Sequence, residues 1–201
     1  MVRRHLSSAS PSPSLLLNAG SGVYQIAEPP WTEFSLDLFA TPLRNRAGAV
    51  CATVESLPFR ASTFGAVVCV GEVLAYCDPA RAIGEFSRVL PLGGTLIVDF
   101  RSTRSARNWF KPPFARAADI VADDYNGTVE RTWIYDPNYI ESLLMGTGFQ
   151  IREVHGSHTW SALGRRIGLS TLPAVRAQRL LEWFPLPRVL ADLTTIVAAR
   201  S

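Results

Sequence analysis

Short apolar runs alternate along the chain with stretches whose apolar residues recur every three or four positions. Leu15-Leu16-Leu17 runs into Asn18-Ala19-Gly20-Ser21-Gly22 and predicts a strand ending in a glycine bend. Phe34–Leu38, Ala49–Val54, Ala66–Val70 and Gly94–Phe100 predict four more strands, and Gln150–Val154 and Leu193–Ala199 two late ones. Strands made almost wholly of Ala, Val, Leu and Ile suit a sheet covered on both faces.

Two helices have clear start signals. Asp78 followed by Pro79 pairs an N-cap with a proline at the first helical position, and Ala82, Ile83, Phe86, Val89 and Leu90 form one apolar stripe. Asp136-Pro137 repeats this pattern ahead of Tyr139, Ile140, Leu143 and Leu144, with stops at Gly146 and Gly148. Strands alternating with helices indicate an α/β fold with a mainly parallel sheet. Residues 101–134 and 158–190 are read as long connections, the second carrying a surface helix through Ala177, Leu180, Leu181 and Phe184. Residues 1–13, rich in Ser and Pro, are read as a disordered lead, and 14–201 as a single domain.

Composition narrows the partners. Of 201 residues, 47% are hydrophobic and 18% charged, ample for a packed core. Twenty basic against seventeen acidic residues leave +3, and no Lys/Arg run is present to follow a phosphate backbone, so nucleic acid is not expected. No apolar run approaches the roughly 20 residues that cross a bilayer, and the first residues lack a signal-peptide core, so a cytoplasmic protein without a membrane partner is expected. Cys51, Cys69 and Cys77 match no metal-knuckle spacing and are read as reduced thiols, with no metal expected.

Gly20 and Gly22 after the first strand, with Asp37 closing the second, form a chemically pointed pair. A bend without side chains lets backbone approach a ligand, and a carboxylate ending the neighbouring strand can accept from both hydroxyls of a ribose.

The stretch Val54–Phe100 then contributes Leu57-Pro58-Phe59, Thr63-Phe64-Gly65-Ala66-Val67 and Glu85 through Gly94, in that order. With LLLNAGSG, Leu36-Asp37-Leu38 and Leu143-Leu144-Met145-Gly146-Thr147-Gly148-Phe149, it resembles the class I S-adenosylmethionine-dependent methyltransferases. The resemblance implies a Rossmann-like, doubly wound sheet of seven mainly parallel strands, order 3-2-1-4-5-7-6, with strand 7 antiparallel. It implies S-adenosylmethionine as cofactor and S-adenosylhomocysteine as product. Asn18, Ala19, Gly20, Ser21 and Gly22 are expected beneath the cofactor's tail and ribose, and Asp37 on the ribose hydroxyls. Leu38 is expected on the adenine, Thr53, Val54 and Glu55 at its edge, and Val70, Gly71 and Glu72 near the sulfonium.

The expected activity is direct methyl transfer to a small-molecule acceptor. A general base is needed only where the acceptor loses a proton, and the candidates are Glu72, Tyr76, His155 and His158. Each has a plainer reading: Glu72 as a helix cap or a partner of the cofactor's amino group, Tyr76 as a packing aromatic, and the histidines as solvated or structural. Asp99, closing the fifth strand, fits a turn, a substrate contact or catalysis equally. The 101–134 connection carries Trp109, Phe110, Phe114, Tyr125 and Trp133 among Arg104, Arg107, Lys111 and Arg116. It reads either as a lid over a flat acceptor or as a loop anchored to the core. Trp31, Trp109, Phe110, Trp133 and His158, with Trp160, are the substrate candidates, and Arg165-Arg166 a solvated or anion-facing patch.

Asn18 stands where the family usually has an acid, Tyr24 where a third glycine is common, and Thr53 where an adenine-binding Asp is frequent. These departures keep open an alternative reading: a catalytically inactive relative serving as a binding or assembly module. Monomer and homodimer are not distinguished.

Overall fold

The computed structural model describes residues 2–8, 14–125, 128–159, 162 and 190–201. The predicted helix at 177–184, Trp160 and Arg165-Arg166 lie outside the described residues.

Seven strands form one sheet: β1 Leu15–Ala19, β2 Thr32–Asp37, β3 Ala49–Cys51, β4 Ala66–Cys69, β5 Thr95–Arg101, β8 Phe149–Ser157 and β9 Leu193–Arg200. Their order is β3-β2-β1-β4-β5-β9-β8. β1 lies between β2 and β4, and all pairings from β3 through β5 are parallel. β9 runs antiparallel: its end bonds the start of β5 (Gly93 N–H to the Arg200 carbonyl, 2.8 Å), and its approach accepts from Ser102 beyond the end of β5.

The expected spatial order is thus kept, but the labels shift, because residues 101–134 are more than a connection. They hold a two-stranded antiparallel hairpin, β6 Ala118–Tyr125 and β7 Thr128–Tyr135. Its strands alternate too weakly to read in advance: Ile120 and Trp133 face each other across the ladder and are both exposed.

Helix α2, Pro79–Val89, begins as predicted, with the Asp78 carboxylate accepting from the Ala80 and Arg81 N–H groups. Such a cap stabilises a helix by about 1 kcal/mol. Its stripe Ala82, Ile83, Phe86 and Val89 is fully buried, and each large member contributes about 1.5–3 kcal/mol of apolar burial. Helix α3, Pro137–Gly146, starts in the same way, with Asp136 accepting from the Asn138 N–H. The links β1→β2 and β2→β3 contain no α-helix, only a 3-10 turn at Thr41–Leu43. The winding is therefore thinner than the expected fold class implies.

The contacts divide the chain into two compact units. The first comprises 1–99, 142–153 and 196–201, and the second 100–141 and 154–195.

In the first unit, one face of the central strands presents Leu16, Ala66, Val68, Ile97 and Val197. Where a crossover helix is missing, Trp31 and a short helix α1, Val2–Ser8, cover this face. Leu6 is buried there, and the Trp31 indole donates to the Leu6 carbonyl at 3.1 Å. Part of the stretch expected to be a disordered lead is thus helix, because an apolar sheet face needs a cover.

Among its described residues, the second unit carries paired charges. Asp123 takes Arg101 at 2.6 Å and Arg107 at 2.5 Å, and Asp136 takes Arg104 at 2.6 Å. Among the described residues, no helix is long and apolar enough to cross a membrane.

Candidate cofactor site

A pocket of about 290 Å³ opens in the first unit at the carboxyl ends of β1 to β4. Gly20 lies beyond β1, Leu36 to Phe39 at the end of β2, Ala52 to Glu55 beyond β3, and Gly71, Val73, Tyr76 and Cys77 beyond β4. This is the strand edge at which open α/β sheets bind ligands.

The bend after β1 is held by backbone. The Gly20 and Ser21 N–H groups both donate to the Leu36 carbonyl, at 2.8 and 2.9 Å. Gly20 has φ +75°, and a Cβ there would run into Val73 Cγ2, so the position needs glycine twice over. Asp37 is fixed from both sides: its Oδ2 accepts the Gly22 N–H at 2.8 Å and its Oδ1 the Phe39 N–H at 3.0 Å. Each carboxylate oxygen accepts more than one hydrogen bond, so acceptor capacity remains for a ligand hydroxyl.

Beyond β3 the chain leaves the sheet earlier than predicted. The strand ends at Cys51, the Ala52 N–H gives a last bond to the Asp37 carbonyl, and Thr53 Oγ1 accepts the Glu55 N–H. The Ala52–Glu55 turn lies at the wall because its polar groups bond one another rather than a ladder. Glu55 also accepts the Asp78 N–H at 2.7 Å, tying that wall to the start of α2.

Beyond β4 the chain turns sharply through two consecutive left-handed residues, Gly71 at φ +93° and Glu72 at φ +65°. Both backbone N–H groups donate to the Asp99 carboxylate, at 3.0 and 2.9 Å. Burial raises the Asp99 pKa, against the lowering by the two N–H donors. The Cys77 thiol at the wall has its pKa pushed up to about 12, by burial first and then by Glu55 and Asp78, which favours the protonated form.

Of the residues expected around the cofactor, Gly20, Asp37, Leu38, Thr53, Val54, Glu55 and Gly71 line the pocket. Asn18, Ala19, Ser21, Gly22, Val70 and Glu72 are not among its lining. Asn18 is buried and donates to the Glu33 carboxylate at 2.9 Å and the Tyr24 carbonyl at 3.1 Å. Glu33 also collects the Ile26 and Ala27 N–H groups and the Ser35 hydroxyl, donors that outweigh its burial and lower its pKa. The acid that many first motifs carry on β1 is thus absent, and an acid on β2 organises the same neighbourhood. Gly22 serves indirectly, through its N–H on Asp37. Ala19, the last residue of β1, and Ser21, in the bend, are both buried.

Leu36, Phe39, Ala52, Val73 and Cys77 also line the pocket, though the sequence carries no cofactor expectation for them. The apolar Leu-Phe flank of Asp37 was the only available signal.

The candidate bases separate. Tyr76 lines the pocket and is 65% exposed. Glu72 begins the 3-10 turn Val73–Tyr76 with no side-chain cap bond, which corrects the capping reading: its left-handed backbone carries the turn. His155 sits in β8, and His158, exposed at φ +63°, follows that strand.

Trp31 is corrected from a substrate residue to a core residue, buried under α1. In the second unit, Trp109 and Phe110 stack at 5.5 Å with ring planes 6° apart, and Phe110 is 86% exposed. Trp133 is partly exposed and stacks on Tyr135 at 6.4 Å.

Residues 18–98 match a protein family described as a methyltransferase domain. No curated protein matches the chain by sequence. Among solved structures, a putative S-adenosylmethionine-dependent methyltransferase from Listeria monocytogenes superposes with TM-score 0.67 at 12% identity, over 98% of this chain and 97% of that one. The [4+2]-cyclase SpnF gives 0.59 at 19% identity, over 92% and 75%. The Burkholderia thailandensis 1,6-didemethyltoxoflavin-N1-methyltransferase, solved with bound 1,6-didemethyltoxoflavin and S-adenosylhomocysteine, gives 0.56 at 12% identity, over 93% of this chain and 71% of that one. The fold is that of the class I, Rossmann-like methyltransferases.

Proposed function

We propose that the chain is an S-adenosylmethionine-dependent methyltransferase acting on a small-molecule acceptor. The observation that carries this reading is the Asp37 carboxylate, held by the Gly22 and Phe39 N–H groups and lining one pocket with Gly20. The fit is good at the nucleoside end. Asp37 would take the ribose hydroxyls, Leu38 would pack on the adenine, and Thr53, Val54 and Glu55 would border its edge. The family match across 18–98 and the S-adenosylhomocysteine held by the Burkholderia neighbour support the same cofactor.

Bound there, the cofactor supplies a methyl group on a sulfonium that is already a good leaving group. The protein's share is then to orient the two reactants and exclude water. Leu36, Leu38, Phe39, Val54 and Val73 give the pocket an apolar lining suited to that task. No general base is assigned, and Tyr76 is the candidate base that lines the pocket.

The scaffold reading draws on one observation. Val73 stands against Gly20, on the approach the cofactor's tail would use. A cyclase on the same fold also marks how far chemistry can vary there. Incubating the protein with S-adenosylmethionine and a panel of amine, phenol and carbon acceptors decides between the readings. Acceptor-dependent release of S-adenosylhomocysteine supports the enzyme, and cofactor binding without release for any acceptor class supports the module.

A further inference from the structure

We propose that Asp99 is a positioning residue for the cofactor pocket, acting through the Gly71–Glu72 turn; this rests on the cofactor reading above. The turn forms one wall: Gly71, Val73, Tyr76 and Cys77 all line the pocket. Two successive left-handed residues, one of them a glutamate, form a backbone that does not hold itself, because a non-glycine residue at positive φ is strained. Asp99 supplies the restraint. It lies inside β5, two residues before the strand's end at Arg101, in a strand buried along most of its length, and is only 6% exposed. Its Oδ2 accepts from Gly71 and its Oδ1 from Glu72. The next bond, Ala75 N–H to the Glu72 carbonyl at 2.9 Å, passes the restraint into the 3-10 turn that carries Val73 and Tyr76.

A carboxylate is the group this geometry requires. Two convergent N–H donors need two acceptor oxygens, and an amide offers one oxygen and turns its NH₂ against the second donor. Both oxygens face backbone, so Asp99 orders the wall without being a catalytic residue. Ordering a wall before the ligand arrives removes that cost from binding.

The test titrates S-adenosylhomocysteine calorimetrically into the wild-type chain, Asp99→Asn, Gly71→Ala and the double variant, with amide hydrogen exchange followed over residues 71–76. An alanine at φ +93° strains the same turn, and nothing lies within 4 Å of its new Cβ, so it perturbs the turn without touching the core. Each single variant is expected to bind about tenfold more weakly, with faster exchange at 71–73. The double variant is expected to lose less than the product of the two, because both act on one turn. Wild-type affinity and wild-type exchange in Asp99→Asn, or losses that multiply in full, overturn the proposal. If Asp99→Asn does not fold, Gly71→Ala decides: undiminished affinity there overturns it. A wild-type chain that ignores the ligand removes the cofactor reading instead. Exchange at 71–73 in Asp99→Asn then still reads the clamp, unchanged protection overturning it and faster exchange supporting it.

Discussion

The Asp37 carboxylate and the Gly22 amide meet at 2.8 Å, joining the end of β2 to the bend after β1. One bond thus fixes an acidic group and shapes the bare loop beside it, the two elements a nucleoside needs.

Replacing Asp37 by Ala removes this bond, the Phe39 bond and any ribose contact. Charge-assisted hydrogen bonds of this kind contribute about 1.5–3 kcal/mol each. The expected outcome is a loss of S-adenosylhomocysteine affinity of at least tenfold with the far-ultraviolet dichroism retained, read by calorimetry. Wild-type affinity in this variant would remove Asp37 from the site.

Gly20→Ala meets two penalties, a positive φ and the Val73 side chain. A loss of about 1–3 kcal/mol in unfolding free energy is expected, measured by urea titration. Combining it with Val73→Ala should recover part of that loss, because the obstruction is then removed. No recovery would separate the two residues.

The Leu57-Pro58-Phe59 turn is held from α2. Glu85 accepts the Leu57 N–H, and Arg88 donates to the Leu57 and Phe59 carbonyls while pairing with Glu85 at 2.7 Å. Arg88→Ala should lower stability by about 1–3 kcal/mol through the orphaned carbonyls. The hydrogen bond from Arg88 lowers the Glu85 pKa from its ordinary value of 4.5, against partial burial. A carboxylate with a depressed folded-state pKa stabilises the fold above its unfolded pKa, and that contribution fades as pH falls through the folded one. Between pH 5 and 3, wild type should lose more stability than Glu85→Gln, as followed by thermal unfolding.

These cases bear on what the sequence made legible. Asp78-Pro79 and Asp136-Pro137 announced α2 and α3, because a cap and a proline act locally. The bend-and-acid pair of Gly20 and Asp37 was readable for the same reason: both sit where a strand stops. Trp31 was misplaced because its burial rests on α1, whose Leu6 carbonyl it meets across 25 residues of chain. The bond that Asn18 makes to Glu33, 15 residues further along the chain, was not legible either, because no local spacing announces it. Val73 and Cys77 reach the wall through a turn set by Asp99, a long-range bond that no spacing encodes. The β6–β7 hairpin stayed hidden because its stabilising groups are charges rather than an apolar alternation.

Those charges can be tested. Asp123 is opposed by burial, yet Arg101 and Arg107 outweigh it and hold its pKa below the usual 3.8. Asp123→Asn leaves two guanidiniums, each under one-fifth exposed, facing one another. The second unit should lose about 2–4 kcal/mol, seen as faster proteolysis within residues 118–135. Unaltered resistance would make the pair ornamental.

The decisive measurement is a calorimetric titration of the wild-type chain with S-adenosylmethionine and S-adenosylhomocysteine. Saturable binding at micromolar concentrations, for both ligands, is the predicted result. No heat from either at millimolar concentration would contradict it and leave the fold as a scaffold without its cofactor.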